Sequence, residues 1–328
     1  MAASKTVLVT GGAGYVGAHA SKALYRAGYM PVVYDNLVYG HREAVKWGPL
    51  VEGDVHDAAR LADTLAAHKP SAVMHFAAYA YVGESVENPL KYYNNNVGGT
   101  LSLLGAMRDA GIDKLVFSST CATYGVPETP LLAESHPQKP INPYGESKWM
   151  IERVLAGLAA AGQMNYVALR YFNAAGADPD GEIGEDHDPE THLIPRAIAA
   201  AHGGPALKIF GGDFPTPDGT AIRDYIHVND LATAHVKALE HLVAGKSSDV
   251  FNLGTGHGHS VREVVDALRA LGLDPKTEKA PRRAGDPPQL VADATKAGAV
   301  FGWKPAMSDL ATILKTAVAW HEKKGNFR

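Results

Sequence analysis

Three glycines, Gly11, Gly14 and Gly17, stand three positions apart between a short apolar run and a segment with helical periodicity. Thr6-Val7-Leu8-Val9 is β-branched enough for a buried parallel strand, and Ala18 to Ala27 reads as a helix stopped at Gly28. A strand that feeds a helix through such a turn opens a βαβ unit and so points to an α/β fold. Each glycine has its own reason there: Gly11 for the tight turn, Gly14 for close approach of a pyrophosphate, Gly17 for contact between helix and strand. The phosphates then meet free N–H groups at the positive end of a helix.

Apolar runs and amphipathic stretches keep alternating through the first half of the chain. Pro31-Val32-Val33-Tyr34 reads as the second strand and closes on Asp35, where a dinucleotide fold needs an acceptor for the adenosine ribose hydroxyls. A carboxylate at that place favours NAD, because it repels the additional phosphate of NADP. Arg42 keeps an NADP alternative open but reads better as a solvated loop charge. A third strand begins near Leu50 and ends through Gly53-Asp54-Val55, where Asp54 either bonds the adenine amino group or caps the helix from Ala58. Ala72 to Ala78 is the fourth strand, and small residues at its end let a dinucleotide lie on the backbone. Asn94-Asn95-Asn96-Val97 opens a helix to Met107, and Leu115 to Thr120 is a fifth strand ending in hydroxyls. In an open parallel sheet the crevice lies beyond the carboxyl ends of the strands, so Thr120 points into it.

Asn142-Pro143-Tyr144-Gly145-Glu146-Ser147-Lys148 leads into an amphipathic helix through Leu158. Four positions apart, Tyr144 and Lys148 project from one helix face with the ammonium near the phenol. Val167 to Phe172 is a further strand, and beyond Asn173 the alternation breaks into Gly, Asp and Pro loops. The expected architecture is a Rossmann fold, a doubly wound parallel sheet over residues 1–172 with 224–254 returning to it. A smaller α/β substrate-binding domain is expected over 173–328. In that part Ile194 to Ala201 reads as helix, Leu207 to Phe210 as a loop, and Ser308 to Lys323 as a packing helix.

Composition excludes several other classes. Hydrophobic residues make up 46% of 328, enough for a large core. A net charge of -4 with mixed signs leaves no basic face for nucleic acid and no polybasic membrane anchor, so an anionic ligand depends on a few local cations. The single cysteine, Cys121, permits no internal disulfide, fits a reducing compartment and reads as a packed residue. Met1 to Lys5 leads straight into the first strand and no apolar run reaches membrane-spanning length, so a cytoplasmic location is expected. Neither the Gly254 to His259 stretch nor His187 and His192 shows zinc spacing; no metal is expected, and His192 edges the substrate pocket.

Together these residues resemble the extended short-chain dehydrogenase/reductase superfamily and, within it, the UDP-glucose 4-epimerase family. The likeness is carried by Thr10 to Gly17, Asp35-Asn36-Leu37, Val82-Gly83-Glu84-Ser85, Tyr92-Tyr93 with Asn95-Asn96-Val97, and Arg170-Tyr171-Phe172-Asn173. Further on it is carried by Asp218-Gly219-Thr220, Arg223 to Val228, Asn252-Leu253-Gly254, and Arg282-Arg283 with Gly285-Asp286. The resemblance implies NAD as cofactor, contacted by Gly11, Gly14, Tyr15, Val16, Gly17, Asp35, Asn36, Asp54, Val55, Phe76, Ala77, Ala78, Asn96, Ser118, Tyr144, Lys148 and Tyr171. It implies that Tyr144 is the acid/base, that Lys148 holds the nicotinamide ribose and lowers the tyrosine pKa, and that Thr120 bonds the sugar 4-hydroxyl. Asn173, Leu193, Phe210, Arg223, Arg283 and Asp286 are implied to hold the uridine diphosphate of a UDP-sugar. Gln289 is taken to replace a bulky aromatic of the sugar pocket, and Ala80 a lysine that some members place near the cofactor ribose.

The implied reaction interconverts UDP-glucose and UDP-galactose through a 4-keto sugar, in a homodimer joined by helices starting near Asn96 and Tyr144. Ser119 to Gly125 and Pro140 to Gly145 also resemble relatives that epimerise UDP-xylose and UDP-arabinose, and N-acetylated sugars stay open. A nucleotide-sugar 4,6-dehydratase needs an added acid and base beside Thr120, where Cys121-Ala122 stand instead. A non-catalytic NAD sensor has no use for Thr120, Tyr144 and Lys148 together. For the epimerase, a tyrosine of ordinary pKa has to drop by about 3 units, roughly 4 kcal/mol, to be half ionised at pH 7.

Overall fold

The computed structural model describes residues 5–283 and 286–325. Met1 to Ser4 and Gly285 of the Arg283–Asp286 motif lie outside the described residues. In chain order the first half forms β1 (Thr6–Thr10), α1 (Tyr15–Arg26), β2 (Met30–Asp35), β3 (Leu50–Glu52), α2 (Ala58–His68), β4 (Ala72–His75), α3 (Val82–Glu87), α4 (Pro89–Tyr92), α5 (Gly99–Asp109), β5 (Lys114–Thr120), α6 (Pro143–Ala160) and β6 (Asn165–Tyr171). The second half forms β7 (Asn173–Ala175), α7 (Leu193–Ala201), β8 (Leu207–Phe210), β9 (Ile222–Arg223), β10 (Tyr225–His227), α8 (Val228–Val243), β11 (Asp249–Leu253), β12 (His259–Ser260), α9 (Val261–Ala270), β13 (Thr277–Ala280), β14 (Gln289–Leu290), α10 (Thr295–Phe301) and α11 (Leu310–Lys324).

Seven strands pair in the order β11-β6-β5-β4-β1-β2-β3, and every neighbouring pair is parallel. Successive residues of a strand face opposite sides of a sheet, and here both sides are covered. Val7 and Val9 enter a core with Leu24 of α1 and Leu231 and Leu239 of α8, while Leu8 between them enters one with Leu61 of α2, Met107 of α5 and Leu155 of α6. The chain winds outward in opposite directions from β1 and β4, so the loops after those two strands diverge and leave a crevice between them. The three glycines follow β1, at that crevice. A third core joins Ile194 and Ile198 of α7, Val264 and Leu268 of α9, and Ile313 and Leu314 of α11.

Several expected elements move. Leu207 to Phe210, expected as a loop, is a strand, because it pairs in parallel with β13, a partner too distant in sequence for a local pattern to reveal. The third strand stops at Glu52 and the fourth at His75, so Gly53 to Val55 and Phe76 to Ala78 leave the sheet as loops. The helix expected to open at Asn94 begins at Pro89, where Asn88 accepts the Lys91 N–H, and passes through a π-helical turn over Tyr93–Gly98 before α5. The wider turn accompanies a buried Asn96, which donates to the Tyr79 carbonyl at 3.1 Å and to Ser147 Oγ at 3.0 Å. Helix α2 is capped by Asp57, not Asp54, and α11 starts behind Asp309.

Candidate active site

A cleft of about 890 Å³ extends from the glycine turn to Arg283. Gly11, Gly14, Tyr15, Val16, Gly17, Asp35, Asn36, Val55, Phe76, Ala77 and Ala78 wall it on the sheet side. Thr120 and Tyr171, at the ends of β5 and β6, line it together with Tyr144 and Asn173. Leu193, Phe210, Arg223, Arg283 and Asp286 line it from the second half of the chain.

The glycine turn leaves space where a ligand needs it and none elsewhere. Gly11 has φ +72°, and a Cβ there would lie 2.5 Å from the Ala77 nitrogen; a Cβ on Gly17 would lie 2.2 Å from the Gly11 carbonyl oxygen. Gly14 differs, since among the described residues its Cβ would meet just the Gly11 oxygen, at 3.4 Å, and it lines the cleft. Helix α1 starts directly after it with no side-chain cap and no acid in its first turn. Unpaired N–H groups at a positive helix end, reached across a bare glycine, fit a diphosphate. Asp35 accepts N–H bonds from Ala13 at 3.0 Å and Leu37 at 2.9 Å; burial raises its carboxyl, and those two bonds oppose it. Each oxygen keeps a lone pair for a ribose hydroxyl. Arg42 is paired with Glu52 outside the cleft. The donor set of this lobe therefore fits NAD.

Tyr144 lies in the first turn of α6, where Pro143 holds the first helical position and Asn142 accepts the Gly145 N–H at 2.8 Å. A Cβ on Gly145 would lie 2.5 Å from the Ala122 carbonyl oxygen, so α6 sits directly on the turn after Thr120. Thr120 stands close enough to the Tyr144 phenol for its hydroxyl to act on it in the lowering direction. Burial nevertheless pushes the phenol well above its ordinary value. Lys148, 3% exposed, donates to the Ser118 carbonyl at 2.8 Å and stands 4.9 Å from the Phe117 ring centre. Burial pulls its ammonium down to about 7 against the opposing charge of Glu152. The expected drop in the tyrosine pKa is thus not produced by the chain's own groups. Lys148 is aimed at a carbonyl, and burial disfavours the charged form of both side chains.

Five expected site residues are absent from the cleft wall. Lys148 and Ser118 stand behind it, with the Ser118 hydroxyl 2.8 Å from that of Tyr171. Asn96 sits beneath the Tyr79 loop and accepts the Tyr79 N–H at 2.9 Å. Asp54 accepts from Asn36 Nδ2 at 2.8 Å, and its other carboxylate oxygen lies 2.8 Å from His56 Nδ1. Gln289 donates its amide to the Pro130 carbonyl at 3.2 Å, while its neighbour Leu290 lines the cleft. Both belong to β14, where adjacent side chains face opposite ways, so a one-residue offset exchanges wall for exterior. Cys121 also lines the cleft, and burial pushes its thiol up to about 12, as suits a packed residue.

Sequence spacing gave no sign of a cluster that the structure assembles from Glu185, His187, Glu190 and His192, whose ligand atoms lie within 4.8 Å of one another. His192 Nδ1 is 2.9 Å from a carboxylate oxygen of both glutamates, and His187 Nδ1 is 3.2 Å from Glu185. Burial acts to lower both imidazoles, but the two glutamates outweigh it and raise His187 to about 9 and His192 to about 10. Glu185, His187 and His192 line the cleft, and Glu190 stands behind them. The four residues belong to an irregular loop, which has no period to read. Arg196, in the first turn of α7, is a further cleft residue that sequence reasoning missed.

The sequence profile of the NAD dependent epimerase/dehydratase family matches residues 7–254. The chain is 54% identical over 323 residues to the UDP-glucose 4-epimerase of Rhizobium leguminosarum bv. trifolii, covering 98% of both. Its fold matches the crystal structure of UDP-glucose 4-epimerase from Brucella ovis in complex with NAD with a TM-score of 0.94, at 56% identity over 96% of this chain and 97% of that one. UDP-glucose 4-epimerase from Bifidobacterium longum, in complex with NAD+ and UDP, matches with a TM-score of 0.93 at 37% identity, over 98% and 100% of the two chains. With the family profile spanning the Rossmann sheet and these likenesses spanning nearly the whole length, the chain belongs to the NAD dependent epimerase/dehydratase family and, within it, to the UDP-glucose 4-epimerases.

Proposed function

We propose that the chain inverts carbon 4 of a UDP-hexose, interconverting UDP-glucose and UDP-galactose. The hydroxyls of Thr120 and Tyr144 carry this reading, set in one cleft with a glycine-walled dinucleotide lobe and an arginine-bearing lobe. A sugar C4 has no acidic hydrogen, so its inversion requires loss and return of a hydride; NAD supplies that redox chemistry and a positive ring beside the sugar. Tyr144, as phenolate, accepts the proton of the 4-hydroxyl while Thr120 bonds and orients that hydroxyl. The same tyrosine returns the proton once the 4-keto sugar presents its other face.

Burial raises the phenol first and nearby Tyr171 adds to it, so an ionised Tyr144 depends on positive charge that bound NAD would bring, with Lys148 one helical turn on to hold the nicotinamide ribose. Asp35 and Asn36 face the adenosine ribose, and Tyr15, Val16, Val55, Phe76, Ala77, Ala78 and Tyr171 enclose the dinucleotide. Ser118, Asn96 and Asp54 support that lobe from behind through the bonds described above. Arg223 and Arg283 hold the diphosphate, and Asn173, Leu193, Phe210 and Asp286 the uridine, so the sugar swings about a fixed pivot. Residues 1–172 with 224–254 serve the cofactor and 173–328 the substrate.

Exposed Leu101 on α5 and Met150 on α6 support a homodimer through the helices starting near Asn96 and Tyr144. No described helix is long and apolar enough to cross a membrane; a cytoplasmic location is part of the same proposal. Incubation of purified protein with UDP-glucose, UDP-xylose and UDP-N-acetylglucosamine, without added NAD, tests the reading. UDP-galactose formed from UDP-glucose, with NAD copurifying, is the expected result; no epimer from any of the three despite bound NAD would sink it.

A further inference from the structure

On the UDP-hexose reading, we propose that Arg196 is a third diphosphate-binding arginine of this chain, acting beside Arg223 and Arg283. Arg196 projects from the first turn of α7 and lines the cleft together with those two arginines and Phe210. Arg283 stands 3.9 Å from the Phe210 ring centre. Arg196 and Arg223 are both close enough to act on Arg283, whose pKa is lowered first by burial and then by these like charges, with Asp286 opposing.

The carboxylates that line the cleft are all committed elsewhere. Asp35 accepts the Ala13 and Leu37 N–H groups, Glu84 pairs with Lys91, Glu185 with His192, and Asp286 with Arg223. Lys208 faces Glu278 at 3.6 Å, and the cleft histidines His187 and His192 are paired with Glu185 and Glu190. Among the described residues this leaves Arg196 and Arg283 as neighbouring guanidiniums with no ion-pair partner.

That arrangement works against the protein's own stability. The two cations repel, and Arg196 stands at a helix start that has no acid in its first turn, where a positive charge meets the positive end of the helix dipole. A bound dianion reverses both penalties. Each phosphate of a UDP-sugar carries one negative charge, Arg223 and Asp286 cancel each other, and Arg196 with Arg283 supplies the matching two positive charges. With Arg283 alone the lobe would fall one charge short.

Calorimetric titration of the NAD-loaded protein with uridine and with UDP tests the assignment. Arg196→Met should weaken UDP binding by about tenfold or more, the worth of a charge-assisted bond, and leave uridine binding unchanged. Arg196→Lys should recover most of the loss. The thermal midpoint of Arg196→Met measured without nucleotide should equal or exceed that of the parent, because a like-charge contact is gone. Unchanged UDP affinity in Arg196→Met, an equal loss for uridine and UDP, or a lowered midpoint would each overturn the role of Arg196. Failure of the parent protein to bind UDP at all would overturn the UDP-hexose reading instead.

Discussion

The two lobes of the cleft are made of different material. The dinucleotide lobe is backbone and small side chains: Gly11, Gly14 and Gly17 from one turn, with Ala77 and Ala78 at the adjoining strand end. The opposite lobe is built of long side chains from separate segments, Arg196 and Leu193 on α7, Phe210 on β8, Arg223 on β9, and Arg283 beyond β13. A lobe shaped by backbone has no slack, since the atom that a Cβ on Gly17 would meet is a carbonyl oxygen that cannot move independently of the turn. A lobe shaped by side-chain charge tolerates change by degrees, because each cation contributes its own part to the field.

Four experiments press on this contrast. The largest effect should come from Gly17→Val, which drives side-chain atoms into the Gly11 carbonyl; the purified variant should lack bound NAD and unfold at a much lower temperature. Retention of full NAD content would show that the dinucleotide lobe is as forgiving as the other. Next, Tyr144→Phe removes the proposed proton acceptor without emptying either lobe, and turnover should fall by about 10²–10⁴-fold while UDP binding and NAD content persist. Turnover near that of the parent would remove Tyr144 from the chemistry.

Arg283→Met should have a graded effect, weakening UDP binding by about 10–100-fold, in line with loss of a charged hydrogen bond, with NAD content unchanged. Loss of NAD in this variant would mean that the lobes are not independent. The smallest effect belongs to the Glu185–His187–Glu190–His192 cluster. Both imidazoles are raised in the fold, to about 9 and about 10, so the stability they contribute is fully present below the ordinary histidine value and is lost as pH rises through 9 to 10. Lys148, lowered to about 7, contributes in the opposite sense over the same range, so the parent must be compared with a variant. Between pH 8 and 10.5 the parent should lose more thermal stability than His187→Gln/His192→Gln, at about 2–4 °C per kcal/mol. Parallel curves for the two proteins would show that the cluster is not protonated as described.

Legibility in the sequence followed the same division. The βαβ opening, the glycine turn with Asp35, and the Tyr144–Lys148 spacing on α6 could all be read in advance, because each lies within one supersecondary unit of consecutive residues. The strand over Leu207 to Phe210 was not legible, since pairing with β13 is decided by distant chain. The resemblance implies Gln289 at the sugar pocket, whereas Leu290 forms the cleft wall, because which side of a short strand faces the cleft depends on what it pairs with; β14 is aligned by β9.

The sequence by itself determined the α/β class, the dinucleotide turn and the placing of Tyr144 and Lys148 on one helix, since local sterics and helical period need no knowledge of the rest of the molecule. Only the tertiary structure decided the electrostatics: that burial raises Tyr144 and lowers Lys148, that two histidines and two glutamates meet, and that among the described residues Arg196 has no ion-pair partner. Desolvation and charge pairing fall off over a few ångströms of space rather than a few residues of chain, and those distances exist only once the chain has folded.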